Sequence, residues 1–402
     1  MKTIFWKTLF FNALLLCAVV LIVYGFTRSE ADVNDKKLNA ILNGDNPKDV
    51  ARDKNPNERK TLEMVFAIDT TGSMGGLIEG AKQRIWGIVN EVMQSESRPD
   101  VRIGLVAYRD HGDRYVTEVF PMTDNLDAVY TTLMDYRAEG GGDQPENVRR
   151  ALVDAVHKTG WSQQSDRIAQ VVFLVGDAPP HTDYQNEPDT KATALAARRK
   201  GMIVNAIQCG DISGTKEAWQ EIAQNGGGRY FAIPQDSGVV AIATPYDEKL
   251  SALGNQLGGT YLTFGVAEAQ SAARARQGDM ESRLLSNAPR AAMADRATNK
   301  AINSSSYAGD FLQNLENGTL KLEDIKPGEM PEELSNLSPA ERKQEIEKRQ
   351  AQRRQIRAEI MQLSKDRAEF IKKEREKSGQ RNSFDSVVAE ALKAQLAAKG
   401  FK

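Results

Sequence analysis

Cysteine is nearly absent. The 402 residues include only Cys17 and Cys209, which excludes a disulfide framework and a cysteine-rich zinc module. Histidine is almost as rare, with His111, His157 and His181 only. No sign of charge dominates: 53 Lys+Arg stand against 55 Asp+Glu, a formal net charge of −2. A dedicated nucleic-acid binder carries a basic excess, so no nucleic-acid partner is expected. Sustained hydrophobicity is also lacking, and a mean hydropathy of −0.50 excludes a multi-span transporter. What remains is an ordinary globular composition, 40% hydrophobic and 27% charged, long enough for two or three structural units.

The one long apolar run lies at the start. Leu9 to Phe26 is interrupted only by Asn12 and Gly25, with Lys2 and Lys7 before it and Arg28, Glu30 and Asp32 after it. Its 18 residues suffice to span a hydrocarbon core, and they exceed the 7–15 residues usual for a cleaved signal's apolar stretch. Residues 1–27 therefore read as a signal anchor, a transmembrane helix. The preceding lysines favour an N-inside orientation. The expected location is the cell inner membrane, single-pass, with the bulk of the chain on the periplasmic side. Cleavage at Ser29-Glu30-Ala31 is the alternative. Residues 28–60 are rich in charge, Asn and Pro and read as a flexible polar tether.

From Leu62 the pattern becomes regular. Apolar runs at Leu62–Ile68, Val101–Tyr108, Ile168–Val175, Met202–Gln208 and Arg229–Ile233 read as buried strands. Between them lie helical patterns at Leu77–Met93, Leu126–Tyr136, Glu146–Lys158, Thr190–Lys200 and Lys216–Gln224. The alternation predicts an α/β fold: a doubly wound, mostly parallel sheet with helices on both faces, over residues 61–257. Val116–Phe120 is expected as an antiparallel edge strand. Residues 258–402 read as a helical C-terminal region, with one further strand expected at Gly259–Phe264. Ser338-Pro339-Ala340-Glu341 forms a capping box that opens a helix running to Lys377. Its apolar positions Ile346, Ile356, Ile360, Leu363 and Phe370 are interrupted by Arg349, Arg353 and Arg367, which weakens a coiled coil. A second helix over Asn382–Lys399 is expected to fold back on the first as a hairpin, with both contacting the α/β domain.

Ligand sites in such sheets lie beyond the carboxyl ends of the strands. Three loops there carry unusual polar residues. Asp69-Thr70-Thr71-Gly72-Ser73 offers a carboxylate and two hydroxyls at alternate positions. Asp177 follows the third buried strand. Glu139-Gly-Gly-Gly-Asp143-Gln-Pro-Glu146 precedes a helix and offers Asp143, with Glu146 next in line. An all-oxygen donor set suits a hard divalent ion, and three close carboxylates repel one another without a cation between them.

This pattern resembles the von Willebrand factor type A (VWA) domain with its metal-ion-dependent adhesion site. That site reads Asp-x-Ser-x-Ser, then a Thr in a second loop, then an Asp in a third. The resemblance assigns Asp69, Thr71, Ser73 and Asp177 as metal ligands, with Asp143 in place of the Thr. Together with Tyr108-Arg109-Asp110-His111, the loops are similar to bacterial type A proteins and to the type A domains attached to alpha-kinases. No kinase motifs follow in this chain. The resemblance implies a binding module rather than an enzyme. Its cofactor is a divalent cation, Mg2+ first, with Mn2+ or Ca2+ as alternatives. Its partner is a protein whose carboxylate completes the coordination sphere. Two other readings stay open at this level. One is a metal-dependent hydrolase using His111 or His181 as base, and the other is a scaffold with a purely structural ion. A second site drawing on His111, Asp110, Asp113 and His181 is conceivable, against the simpler reading that Arg109 and Asp110 bond loop backbone.

Overall fold

The computed structural model describes residues 60–93, 99–233, 242–303, 309–377 and 384–401. The expected anchor and all of the tether before Lys60 lie outside the described residues. Among those described, no helix is long and apolar enough to cross a membrane.

Six strands form one sheet: β1 (Thr61–Asp69), β2 (Asp100–Tyr108), β3 (Thr117–Thr123), β4 (Ile168–Gly176), β5 (Ile203–Cys209) and β6 (Gly227–Ile233), in the order β3-β2-β1-β4-β5-β6. All neighbours are parallel except β3, which runs antiparallel at the edge beside β2. The helices between strands are α1 (Ile78–Met93), α2 (Leu126–Asp135), α3 (Val148–His157), α4 (Thr190–Arg199) and α5 (Thr215–Asn225). Each expected strand and helix of this domain is present within a few residues. The central strands are buried on both faces, as their unbroken apolar runs require.

Alternate residues of β1 feed two cores. Leu62, Met64, Phe66 and Ile68 pack under α1 and α2. Val65 and Ala67 pack with Val148 and Leu152 of α3, Ala194 and Ala197 of α4, and Trp219 of α5. The chain leaves β1 toward β2 and β3, then returns to β4 on the other side of β1. The reversal opens a crevice at the carboxyl ends of β1 and β4.

The C-terminal region contains α6 (Asp247–Gly259), α7 (Ala267–Asn287), α8 (Arg290–Ile302), α9 (Phe311–Asn317), α10 (Glu332–Ser335), α11 (Pro339–Lys377) and α12 (Phe384–Ala398). The strand expected at residues 259–264 is reduced to an isolated bridge between Thr263 and Asp310. Gly259 ends α6, and the Asp310 carboxylate accepts the Leu262 amide at 2.7 Å, so no neighbouring strand is needed. The expected hairpin is replaced by two separate dockings. Helix α11 packs on α6 and α8, whereas α12 packs on α1 and β6. The arginines that interrupt the α11 stripe are its anchors. Arg353 is buried and donates to the Thr260 hydroxyl and carbonyl, both at 2.7 Å, and to Asp310. Arg367 bonds Asp247 and Asp295, each at 2.7 Å. These paired cations set where α11 lies, while Ile356 and Ile360 fill the cluster around Leu250, Leu253 and Leu257.

Candidate metal centre

The parallel register sets Asp69 at the end of β1 beside the end of β4, with Asp177 one residue beyond that strand. Gly176 makes this approach possible. A Cβ there would lie 2.3 Å from the Tyr108 hydroxyl and 2.8 Å from the Asp69 Cβ. Asp69 is fully buried. Its Oδ1 accepts from the Thr71 amide at 2.9 Å and from the Thr71 hydroxyl at 2.6 Å. Its Oδ2 is buried and has no hydrogen-bond partner among the described residues. The Thr71 and Ser73 hydroxyls are 3.1 Å apart, and Ser73 donates to Asp177 Oδ1 at 3.0 Å. Asp69, Thr71, Ser73 and Asp177 therefore converge on one point, with Ser73 at the exposed side.

The third carboxylate of this group is that of Glu146. The loop before α3 is laid along the β1 loop: the Glu139 amide donates to the Thr70 carbonyl and Gly72 to the Gly140 carbonyl, both at 2.9 Å. Gly140 and Gly141 sit at φ of 76° and 79°, a left-handed conformation natural to glycine. A Cβ on Gly141 would meet Glu146 Oε1 at 3.2 Å and the Thr71 Cβ at 3.3 Å, so Glu146 and Thr71 close around that glycine. The Glu146 amide is held by the Pro179 carbonyl at 3.0 Å. Glu146 is buried, and its Oε2 has no hydrogen-bond partner among the described residues. Asp143 turns outward and lies against His181. The signal in the sequence was the spacing to α3: Glu146, not Asp143, immediately precedes the Asn147 cap and so points back into the crevice.

The electrostatics match a cation-binding cradle. Burial, and then the charge of Asp177, push Asp69 up to about 7 despite the Thr71 bonds that oppose the shift. Burial, followed by the Asp69 charge, pushes Glu146 up to about 9. Asp177 is raised too, by burial, with the Ser73 bond opposing. Tyr108 lies beneath, its hydroxyl 3.4 Å from the Val175 carbonyl. Cys209 is a buried free thiol raised by burial and by the Asp177 and Asp69 charges, hence inert. Three buried carboxylates, two of them (Asp69 and Glu146) with an oxygen that has no hydrogen-bond partner among the described residues, are held together without protons only if a cation joins them. The residues fit a hard divalent ion: Asp69, Asp177, Glu146 and the two hydroxyls supply oxygen alone.

The remaining sequence candidates separate. Arg109 is buried over the Tyr115 ring, 4.6 Å from its centroid, and donates to the Thr70 hydroxyl and the Arg137 carbonyl. Asp113 accepts from the Asp110 and Gly141 amides. His111 lies 3.2 Å from the Asn147 amide nitrogen and 3.5 Å from Glu187. His157 sits on α3 beside Lys200. Of the three histidines, His181 alone contacts several carboxylates: Asp110 and Asp143 through Nε2, and Asp183 through Nδ1.

A family model described as von Willebrand factor A domain matches residues 63–245. An alpha-protein kinase of Dictyostelium discoideum is 29% identical over 133 residues, 32% of this chain and 20% of its own length. The chain thus spans about a fifth of that curated relative. Among solved structures, BatB of Bacteroides thetaiotaomicron aligns at a TM-score of 0.33 and 19% identity, covering 43% of this chain and 90% of its own. Proximal thread matrix protein 1 of the mussel byssus, described with a zinc-occupied MIDAS motif, aligns at a TM-score of 0.35 and 13% identity, covering 44% and 43%.

Proposed function

We propose, from the premise that residues 63–245 form a von Willebrand factor A domain, that this chain is a protein-binding module whose contact with its partner runs through a divalent cation. One observation carries the reading. The buried Asp69 Oδ2 has no hydrogen-bond partner among the described residues, and it stands where Thr71, Ser73, Asp177 and Glu146 direct their oxygens. An unpaired buried carboxylate oxygen is costly, and a cation removes that cost. Mg2+ suits the all-oxygen set, with Mn2+ and Ca2+ next. The crevice is open on the Ser73 side, so a carboxylate from a partner protein completes the sphere there. Among the described residues no general base is paired with a nucleophile at this point, which favours binding over catalysis.

The apolar run before residue 28 anchors the chain by one span in the inner membrane, and the binding domain stands on the periplasmic side on its charged tether. The membrane and a protein are its partners, and nucleic acid is not. The test is calorimetry of Mg2+ on the full chain in detergent, beside Asp69→Ala. The parent binds one Mg2+ at this site and the variant loses it. Capture of a membrane protein from extracts is abolished by chelator and by Asp69→Ala alike. Undiminished Mg2+ binding in a folded Asp69→Ala chain ends the assignment.

A further inference from the structure

Beside the first centre lies a second cluster with a different chemistry. His181, Asp110 and Asp143 offer one ligand atom each, all within 4.8 Å of one another. His181 Nε2 is 3.2 Å from Asp110 Oδ2 and 3.4 Å from Asp143 Oδ1. Ligands at about 2.0–2.1 Å from a tetrahedral ion stand about 3.3 Å apart, so these two spacings are those of a coordination sphere. His181 and Asp110 are each at least nine-tenths buried. His181 Nε2 and Asp110 Oδ1 are both buried without a hydrogen-bond partner among the described residues.

The surroundings orient each ligand. His181 Nδ1 lies 2.8 Å from Asp183 Oδ1. With Nδ1–H donated to that carboxylate, the neutral ring turns its Nε2 lone pair toward Asp110 and Asp143, the carboxylate–histidine–metal arrangement of metalloprotein sites. The Tyr184 ring stacks on His181 at 4.1 Å and 16°, and its hydroxyl donates to Asp110 Oδ2 at 2.7 Å. The Asp110 amide donates to Asp113, which fixes the loop after β2. Arg149 donates to the carbonyls of Tyr184, Glu187 and Pro188 rather than to Asp110 or Asp143. A lone pair and two carboxylates facing one another require a proton or a metal between them.

We propose that His181, Asp110 and Asp143 form a second metal site, taking a transition-metal dication of the zinc class. The imidazole nitrogen selects such an ion over Mg2+ and Ca2+, which prefer oxygen. Asp143 is exposed, leaving the fourth position to water. The site is independent of the partner-binding reading and stands or falls without it. It ties the loop after β2 to the two loops that carry Glu146 and Asp177.

The experiment titrates Zn2+ into the full chain in detergent with excess Mg2+ to fill the oxygen-only centre. Co2+ serves as a spectroscopic probe. The parent takes one Zn2+ equivalent, and Co2+ gives a visible band. His181→Gln removes both. Asp143→Asn, at an exposed position that the fold does not need, weakens Zn2+ by at least about tenfold. Asp69→Ala leaves the Zn2+ site in place. Circular dichroism verifies folding, and Asp143→Asn carries the test if His181→Gln does not fold. Zn2+ affinity equal to the parent in folded Asp143→Asn, or Zn2+ binding abolished by Asp69→Ala alone, overturns the proposal. In those cases a protonated His181 ion-paired with the two aspartates occupies the place.

Discussion

Asp69, Asp177 and Glu146 show how strongly a few buried carboxylates couple stability to pH. In cation-free protein, Asp69 titrates near 7 and Glu146 near 9, both above their ordinary values. The folded state then holds more protons than the unfolded chain between the two sets of values. Its stability therefore falls as pH rises from about 4 through about 7 for Asp69, and on to about 9 for Glu146. A cation that replaces those protons reverses the trend and must expel them on binding. Mg2+ affinity should thus rise from pH 5.5 to pH 8. Calorimetry in two buffers of different ionisation enthalpy should give different apparent heats, the difference reporting the protons released. Identical heats in both buffers would show that the carboxylates are already ionised without the ion. Glu146→Gln should flatten the upper part of this dependence and weaken Mg2+ binding.

Elements differ in how much of their placement could be read in advance. The strands of the sheet were legible because an unbroken apolar run such as Leu62–Ile68 has one low-energy use, a strand buried on both faces. Asp69, Thr71, Ser73 and Asp177 were legible because strand ends in a parallel sheet share one edge. Glu146 was not ranked first because loop direction decides it, and that direction depends on the Glu139–Thr70 and Gly72–Gly140 backbone bonds between segments far apart in sequence. The dockings of α11 and α12 were hidden for another reason. Arg353 looks like a defect in an apolar stripe until its partners Thr260 and Asp310, remote in sequence, are known. Asp127 similarly gains meaning from Arg296 and Lys300. Burial would raise it, but those two cations outweigh burial and hold it at about 2. On this account α11 is fixed by both its arginines and its apolar face. Ile360 is fully buried among Leu250, Leu253 and Ile356. Ile360→Asp should cost at least about 2–5 kcal/mol locally, the range for truncating a buried Ile, because a charge is also buried there. Limited proteolysis should then cut within α11 while Mg2+ binding persists. A variant as protease-resistant as the parent would show that the arginines alone hold the helix.

At the scale of the molecule, the last described helix completes the sheet. Helices α3, α4 and α5 cover one face. Helices α1 and α2 cover only part of the other, and α12 fills the remaining place over β5 and β6. Val388, Leu392 and Leu396 pack in the same core as Ile203, Ile207 and Ile233. Gln395 and Asn205 exchange two amide hydrogen bonds, at 2.8 and 3.2 Å. A sheet face rich in β-branched residues cannot be left to water without loss of roughly 1.5–3 kcal/mol per large side chain exposed. The family match ends at residue 245, yet the domain's core extends to Phe401. The α/β domain and the C-terminal helices should accordingly unfold as one cooperative unit. Leu392→Ala should lower the stability of the whole by about 2–5 kcal/mol, read as a shift of a single urea transition followed through Trp86 of α1. Mg2+ binding should be unchanged under native conditions, since Leu392 lies in the core between α12 and α1, away from the Asp69 crevice. Two separate transitions, with the one reported by Trp86 unmoved by Leu392→Ala, would mean that α12 is an accessory and that the sheet closes without it.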